Sequence, residues 1–152
     1  MKKYFVILFL FISNICFASD YKAALGARLE AGKHGNHGLS YKYFFAKPNA
    51  VELMALSDLE NGIEFHAFYI FQNNLPGAPS EFQWYAGVGG HLGVWEKDTP
   101  VAGPDGLIGL EYRFRQIPLA LSLDWHPLFN IVTKKDDRFY PLKFGLSARY
   151  CF

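Results

Sequence analysis

The last eleven residues, Leu142 to Phe152, alternate without a break. Leu142, Phe144, Leu146, Ala148, Tyr150 and Phe152 occupy one parity, and Lys143, Gly145, Ser147, Arg149 and Cys151 the other. Successive side chains of a β-strand point to opposite faces, so this segment makes a strand with one wholly apolar face and one face carrying two cations. A tilted strand of about ten residues is also the length that a bilayer asks of a β-strand. Such an ending restricts the chain to β architectures in which one side of the sheet meets an apolar medium and the other a polar one.

The opposite end reads as an export signal. Lys2 and Lys3 precede the apolar run Tyr4 to Ile12, and Cys16-Phe17-Ala18 puts small residues at the −3 and −1 positions of a cleavage site. Residues 1–18 therefore form a secretory signal peptide, cut after Ala18. The apolar run is too short to cross a membrane as a helix. Cys16 is not read as a lipidated residue, because Ile15 stands where a small residue is wanted before such a cysteine. Cleavage leaves residues 19–152, or 134 of the 152, as one domain. Cys151 is then its one cysteine, so no internal disulfide is available. Loss of Lys2 and Lys3 moves the formal charge from +1 to −1. That near-neutral balance speaks against nucleic-acid binding.

Between the two ends, seven further segments alternate: Tyr21 to Glu30, Leu39 to Ala46, Ala50 to Leu56, Ile63 to Gln72, Phe82 to Trp95, Leu107 to Phe114, and Pro118 to His126. Turn residues separate them at Gly32 to Gly38, Lys47-Pro48-Asn49, Ser57 to Gly62, Asn73 to Ser80, Glu96 to Gly106, Arg115 to Pro118, and Pro127 to Arg138. No helical period competes over a comparable length, and short regular connections indicate an up-and-down meander.

Periodicity leaves open which face points inward. The polar face mixes signs: Lys22, Arg28, Lys42, Arg113, Lys143 and Arg149 stand against Glu30, Glu52, Glu64, Glu111 and Asp124. An eight-stranded barrel is filled by its own side chains, and enclosed charges must pair, which a near-balanced set can do. The aromatics also sort by height. Tyr43 and Phe45, Tyr69 and Phe71, Tyr112 and Phe114, and Tyr150 and Phe152 end alternate strands, while Phe82 and Trp84 begin one. In an antiparallel meander these positions share a rim, which is an interfacial girdle. The polar face is therefore read as the lumen. Its network is assigned to Arg28, Glu52, Glu64, His66, Glu111, Arg113, Asp124, His126, Lys143 and Arg149, with Arg149 set beside Lys22 of the first strand.

The terminal strand, closing on Phe152, resembles the C-terminal strand of bacterial outer-membrane β-barrels, which the barrel-assembly machinery reads. Over residues 19–152 the chain resembles the small OmpA/OmpX-type barrels, a match of architecture that brings no functional motif. The resemblance implies an all-β, eight-stranded antiparallel up-and-down transmembrane β-barrel in the outer membrane of a Gram-negative bacterium. It implies outer-membrane lipid and the assembly machinery as partners, and Tyr150 and Phe152 as the assembly signal. The girdled rim holds both ends and would be periplasmic. The outer loops would be Ala31 to Gly38, Ser57 to Asn61, Glu96 to Gly106 and Pro127 to Arg138, and Asn73 to Glu81 is long for a periplasmic turn of this type.

Chemistry has few candidates. Ser122, Asp124 and His126 share one face of the seventh strand. Residues two apart on a strand stand roughly 6.5–7 Å apart, too far for a nucleophile and its base. His34 and His37 in G-K-H-G-N-H-G supply half of a tetrahedral metal site in a Gly-rich loop. The run Gly87-Val88-Gly89-Gly90 lacks the strand–turn–helix setting of a phosphate loop and is read as curvature or room for a bulky neighbour. No catalytic residue, metal or cofactor is assigned. The leading expectation is a non-enzymatic outer-membrane barrel with a plugged polar lumen and a structural or surface-interaction role. The alternatives are a lipid-modifying enzyme of the lipid A deacylase or acyltransferase type and a soluble periplasmic barrel carrying a small apolar ligand.

Overall fold

A computed structural model describes residues 21–32, 35–58, 62–95, 99–133 and 138–152. The signal-peptide segment lies outside the described residues. The strands in chain order are β1 (Ala23–Ala31), β2 (Asn36–Ala46), β3 (Asn49–Asp58), β4 (Gly62–Asn74), β5 (Phe82–Trp95), β6 (Thr99–Arg113), β7 (Leu119–Trp125), β8 (Leu128–Phe129), β9 (Phe139–Tyr140) and β10 (Phe144–Cys151). No helix occurs among the described residues.

Strands β1 to β7 and β10 form a closed barrel. Consecutive strands pair antiparallel, β7 pairs with β10, and β10 returns to β1 from Ala24↔Cys151 to Ala31↔Phe144. The fold is thus an eight-stranded antiparallel up-and-down β-barrel of the transmembrane type. Closure gives every wall strand a partner on both sides, with β6 laddered to β7 over Ile108–Arg113 and met beyond that by Leu128 and Val132. The two short strands β8 and β9 pair with each other after β7, and Leu128 of β8 pairs with Asp105 of β6.

The alternation resolves with the polar face inward. Leu123 is 59% exposed, whereas Ser122 and Asp124 on either side of it are 2% exposed. Arg28, Lys42, Glu52, Glu111 and Arg149 are fully buried, while Leu25, Leu39, Leu53, Leu110 and Leu146 are exposed. A soluble barrel carrying an apolar ligand needs the reverse arrangement. Aromatic rings follow one another round the rim at the Lys47-Pro48 turn. Ring centroids stand 6.1 Å apart for Phe45 and Tyr69, 5.8 Å for Phe71 and Trp84, 4.8 Å for Phe82 and Tyr112, and 6.3 Å for Tyr150 and Phe152.

Four local expectations are corrected. The loop expected over Glu96 to Gly106 is largely strand, because β6 starts at Thr99 and pairs with β5 from Trp95↔Thr99 onward. The amides of Ala102 and Gly106 point away from β5, toward Val132 and Pro127. Pro100 and Pro104 share their parity, so the two missing donors fall on that side and leave the β5 ladder intact. The first outer loop is likewise shorter than expected, since β2 starts at Asn36, and the last strand begins at Phe144 rather than Leu142. Finally, Lys22 is exposed and Tyr21 is buried. The amides of Lys22 and Ala23 both donate to the Phe152 carbonyl, at 3.2 and 2.9 Å. That bulge-like pairing reverses the facing of the residues before it. Arg149 accordingly lies opposite Gly26, not Lys22.

The outward apolar face yields a stability prediction. Leu123 lies mid-strand on β7, between Leu110 and Leu146 of the neighbouring strands. Leu123→Arg should reduce the free energy of folding into lipid vesicles by about 2–4 kcal/mol, the range for a cation at the bilayer midplane. Denaturant titration of vesicle-folded protein measures it, with Leu123→Phe expected to remain near wild type.

Candidate functional site

The lumen is packed with side chains in three layers. Nearest the girdled rim, four groups converge on Glu111 of β6. Tyr21 donates its hydroxyl at 2.7 Å, Lys42 of β2 its ammonium at 3.0 Å and Gln72 of β4 its amide at 2.7 Å. Arg149 of β10 approaches at 3.4 Å. Arg149 also donates to Ser40 at 2.8 Å, to Ser122 at 2.9 Å, and to Glu52 of β3. One guanidinium from β10 thereby reaches residues of β2, β3, β6 and β7. Arg113 lies against the Tyr21 ring, 5.7 Å from its centroid, and lines a cleft of about 300 Å³ that opens at this rim beside Lys47, Gln72 and Gln83.

The middle layer is built on Arg28 of β1. Its two terminal nitrogens donate to Asp124 of β7 at 2.8 and 2.6 Å, a bidentate pair, and one of them also reaches Ser147 at 3.1 Å. Tyr85 of β5 donates to the same Asp124 at 2.7 Å. Two glycines make room for these large groups. A Cβ on Gly145 would stand 2.0 Å from an Arg28 nitrogen, and one on Gly109 would stand 2.7 Å from the Tyr85 ring.

In the outer layer the Arg28 Nε donates to Glu30 at 3.0 Å, and Glu30 also accepts from His126 Nδ1 at 2.8 Å and meets Lys143 at 3.1 Å. Lys143 stands 3.7 Å from Glu64 of β4, which in turn accepts from the Trp95 indole. Asp105 of β6 is surrounded by imidazoles: His66 Nδ1 at 2.8 Å, His91 Nδ1 at 2.5 Å and His126 Nε2 at 3.6 Å. His66, Asp105 and His126 are all buried and each brings a ligating atom within 4.8 Å of the others, a group that could hold a metal ion.

The ten residues assigned to the lumen from sequence all face inward with little or no exposure. Their partners were less legible. Tyr21, Lys42, Tyr85 and Asp105 share the network through hydrogen bonds between parts of the wall that are not neighbours, while Ser40 meets Glu52 and His91 meets Asp105 on the adjacent strand. Asp105 has the inner parity of Glu111 and Arg113 on β6, a signal masked by the turn character of Pro100 and Pro104.

The three residues with hydrolase-like spacing are not brought together for catalysis. Ser122 accepts from Arg149, Asp124 is held by Arg28 and Tyr85, and His126 faces Glu30. His37 is exposed on β2 rather than in a loop, and His34 lies outside the described residues. Gly87 and Gly89 sit in mid-strand of β5, where a Cβ would meet the Ile70 and Phe68 side chains at 2.6 and 2.7 Å; they make room for bulky neighbours.

No protein-family model matches the chain, and no curated protein matches it. Solved structures do match. The N-terminal β-barrel domain of Pseudomonas aeruginosa OprF is similar with a TM-score of 0.66 at 15% identity, covering 86% of this chain and 96% of that one. Neisserial surface protein A (NspA) is similar with a TM-score of 0.53 at 13% identity, covering 86% and 94%. At such identity the likeness is one of fold.

The convergence on Glu111 predicts a large effect of its removal. Glu111→Ala leaves Lys42 and Arg149 short of a shared counter-charge inside a closed wall, and breaking a buried pair costs about 3–5 kcal/mol. The urea midpoint of detergent-folded protein should fall accordingly, whereas Lys22→Ala, at an exposed position, should change stability by no more than about 0.5 kcal/mol.

Proposed function

We propose that the chain is an outer-membrane barrel protein whose bore is closed by its own charge network, and that it acts structurally or through its outer loops as a surface-interaction protein. The observation that carries this reading is Arg149. Its guanidinium engages Glu52, Ser40, Ser122 and Glu111 across the interior, while the opposite parity of the same strand is an apolar face. A lumen spanned by ion pairs leaves no steady aqueous path, and an outward apolar face suits lipid.

Under this proposal export begins with a signal peptide cut after Ala18, and Tyr150 and Phe152 form the element that the barrel-assembly machinery reads. The Phe152 backbone is itself part of the seam: its carbonyl accepts from Lys22 and Ala23, and its amide donates to Ala23 at 2.8 Å. Its side chain is 52% exposed, so it adds little packing to the folded barrel and is free for recognition during assembly. The catalytic alternative gains no support from Ser122, whose hydroxyl is held by Arg149.

Two measurements test the proposal. Detergent-folded protein should migrate differently before and after heating and should give no large, steady conductance in planar bilayers. A stable open pore from the intact chain would overturn the plugged lumen. Phe152→Ala should lower the amount of barrel inserted in the outer membrane of cells while leaving the urea midpoint of the folded protein within about 1 kcal/mol, the lower range for single substitutions. Unchanged insertion would remove Phe152 from the assembly role.

A further inference from the structure

The outer layer of the lumen holds an excess of acid. Glu30, Glu64 and Asp105 are enclosed there, and Lys143 contacts only the first two, at 3.1 and 3.7 Å. Among the described residues the ion-pair contacts of Asp105 are with histidines alone. A carboxylate enclosed without a lysine or arginine partner is balanced by the imidazoles around it or by a bound cation.

The donor geometry around Asp105 suits a metal ion. Its Oδ2 lies 2.8 Å from His66 Nδ1 and 3.6 Å from His126 Nε2. In a tetrahedral site with bonds of about 2.0–2.1 Å, neighbouring ligand atoms stand about 3.3 Å apart; these two separations bracket that value, and the two imidazole donors lie within 4.8 Å of each other. The far side of His126 is held by a hydrogen bond. His126 Nδ1 donates to Glu30 at 2.8 Å, which leaves Nε2 as the ring atom with a lone pair facing Asp105. That Nε2 is buried and has no hydrogen-bond partner among the described residues. His66 turns its Nδ1 toward Asp105, and its Nε2 faces Glu64 at 3.4 Å without a hydrogen bond. His91 holds the other Asp105 oxygen at 2.5 Å and is itself fixed by Asn130 at 2.7 Å. The hydrogen bond from His126 to Glu30 is the outer-shell arrangement that orients a histidine ligand and raises its basicity, and Glu64 stands at a longer distance behind His66.

We propose that His66, Asp105 and His126 bind one divalent transition-metal ion in the outer half of the lumen. Two imidazoles and one carboxylate suit zinc-like ions, whereas calcium and magnesium call for more oxygen ligands than this set supplies. The ion ties β4, β6 and the residue that follows β7, three positions that no short sequence motif connects. The site stands independently of the surface role proposed above, since it rests on the lumen's own donors.

The test is metal binding to the full chain, purified in detergent and stripped by a chelator. Zinc should bind at one ion per chain and raise the thermal midpoint. Cobalt should give the visible bands of a low-coordinate site without a thiolate charge-transfer band. His66→Ala, Asp105→Asn and His126→Ala should each weaken zinc binding at least tenfold, and Glu30→Gln by about 10–100-fold through loss of the outer-shell contact. His37→Ala should leave binding unchanged. Heat-modifiable mobility checks the fold of each variant. If the ligand variants do not fold, Glu30→Gln and the cobalt spectrum of the unaltered chain decide. The proposal is overturned if the unaltered chain binds no zinc, if folded His126→Ala binds it as tightly as wild type, or if cobalt shows ligation by Cys151.

Discussion

The whole arrangement depends on one constraint: the bore of an eight-stranded barrel is only as wide as the side chains that fill it, so every charge inside must find its partner on another part of the wall. Arg149 answers that constraint most fully. It is completely enclosed and is held at the same time by Glu52, Glu111, Ser40 and Ser122. The residues around it follow from its size. Small hydroxyl residues stand where its planar head must lie flat, and glycines stand where Arg28 and Tyr85 need depth: Gly145 beneath the first and Gly109 beneath the second. Large and small positions on facing walls are thus complementary.

The same constraint makes the network a register device. Side chains alternate with period two, so a slip of one residue in any wall strand would turn its charges out to the apolar medium and its leucines into the bore. The pairs that cross the lumen tie strands that are not neighbours: β1 to β7 through Arg28 and Asp124, β2 to β6 through Lys42 and Glu111, and β10 to β3 through Arg149 and Glu52. Backbone ladders specify adjacent strands only. The cross-bore contacts add information that the ladders lack.

What could be read from sequence was what is periodic. The alternation of β4 or β10 announces a strand and its two faces without reference to anything distant, and the girdle follows from counting strands in a meander. What could not be read was what depends on stagger or on a break in period. Strand order alone set Arg149 beside Lys22, whereas the register of the closed sheet sets it against Gly26. A bulge at the seam turned Tyr21 inward, and its hydroxyl became a ligand of Glu111. Pro100 and Pro104 read as turn residues because their tolerance in β6 depends on which partner lies on the side of their missing amides. Asp105 was lost with them. His66, Asp105 and His126 come from three parts of the wall, so their meeting is a property of closure rather than of spacing.

The barrel wall is lopsided. β4, β5 and β6 run for 13, 14 and 15 residues, while β7 and β10 have 7 and 8. A crossing strand needs about 9–11 residues, so in the proposed outer-membrane setting the tall side would continue past the bilayer as hydrogen-bonded ribbon. Fixing one free residue into a single backbone conformation costs about 1–2 kcal/mol in entropy. The exterior on that side is already ordered by its ladder before anything touches it, so a molecule docking there would not have to organise it. Recognition at this rim would draw on shape that folding has already settled, and its selectivity would be that of a rigid edge rather than of an adaptable loop.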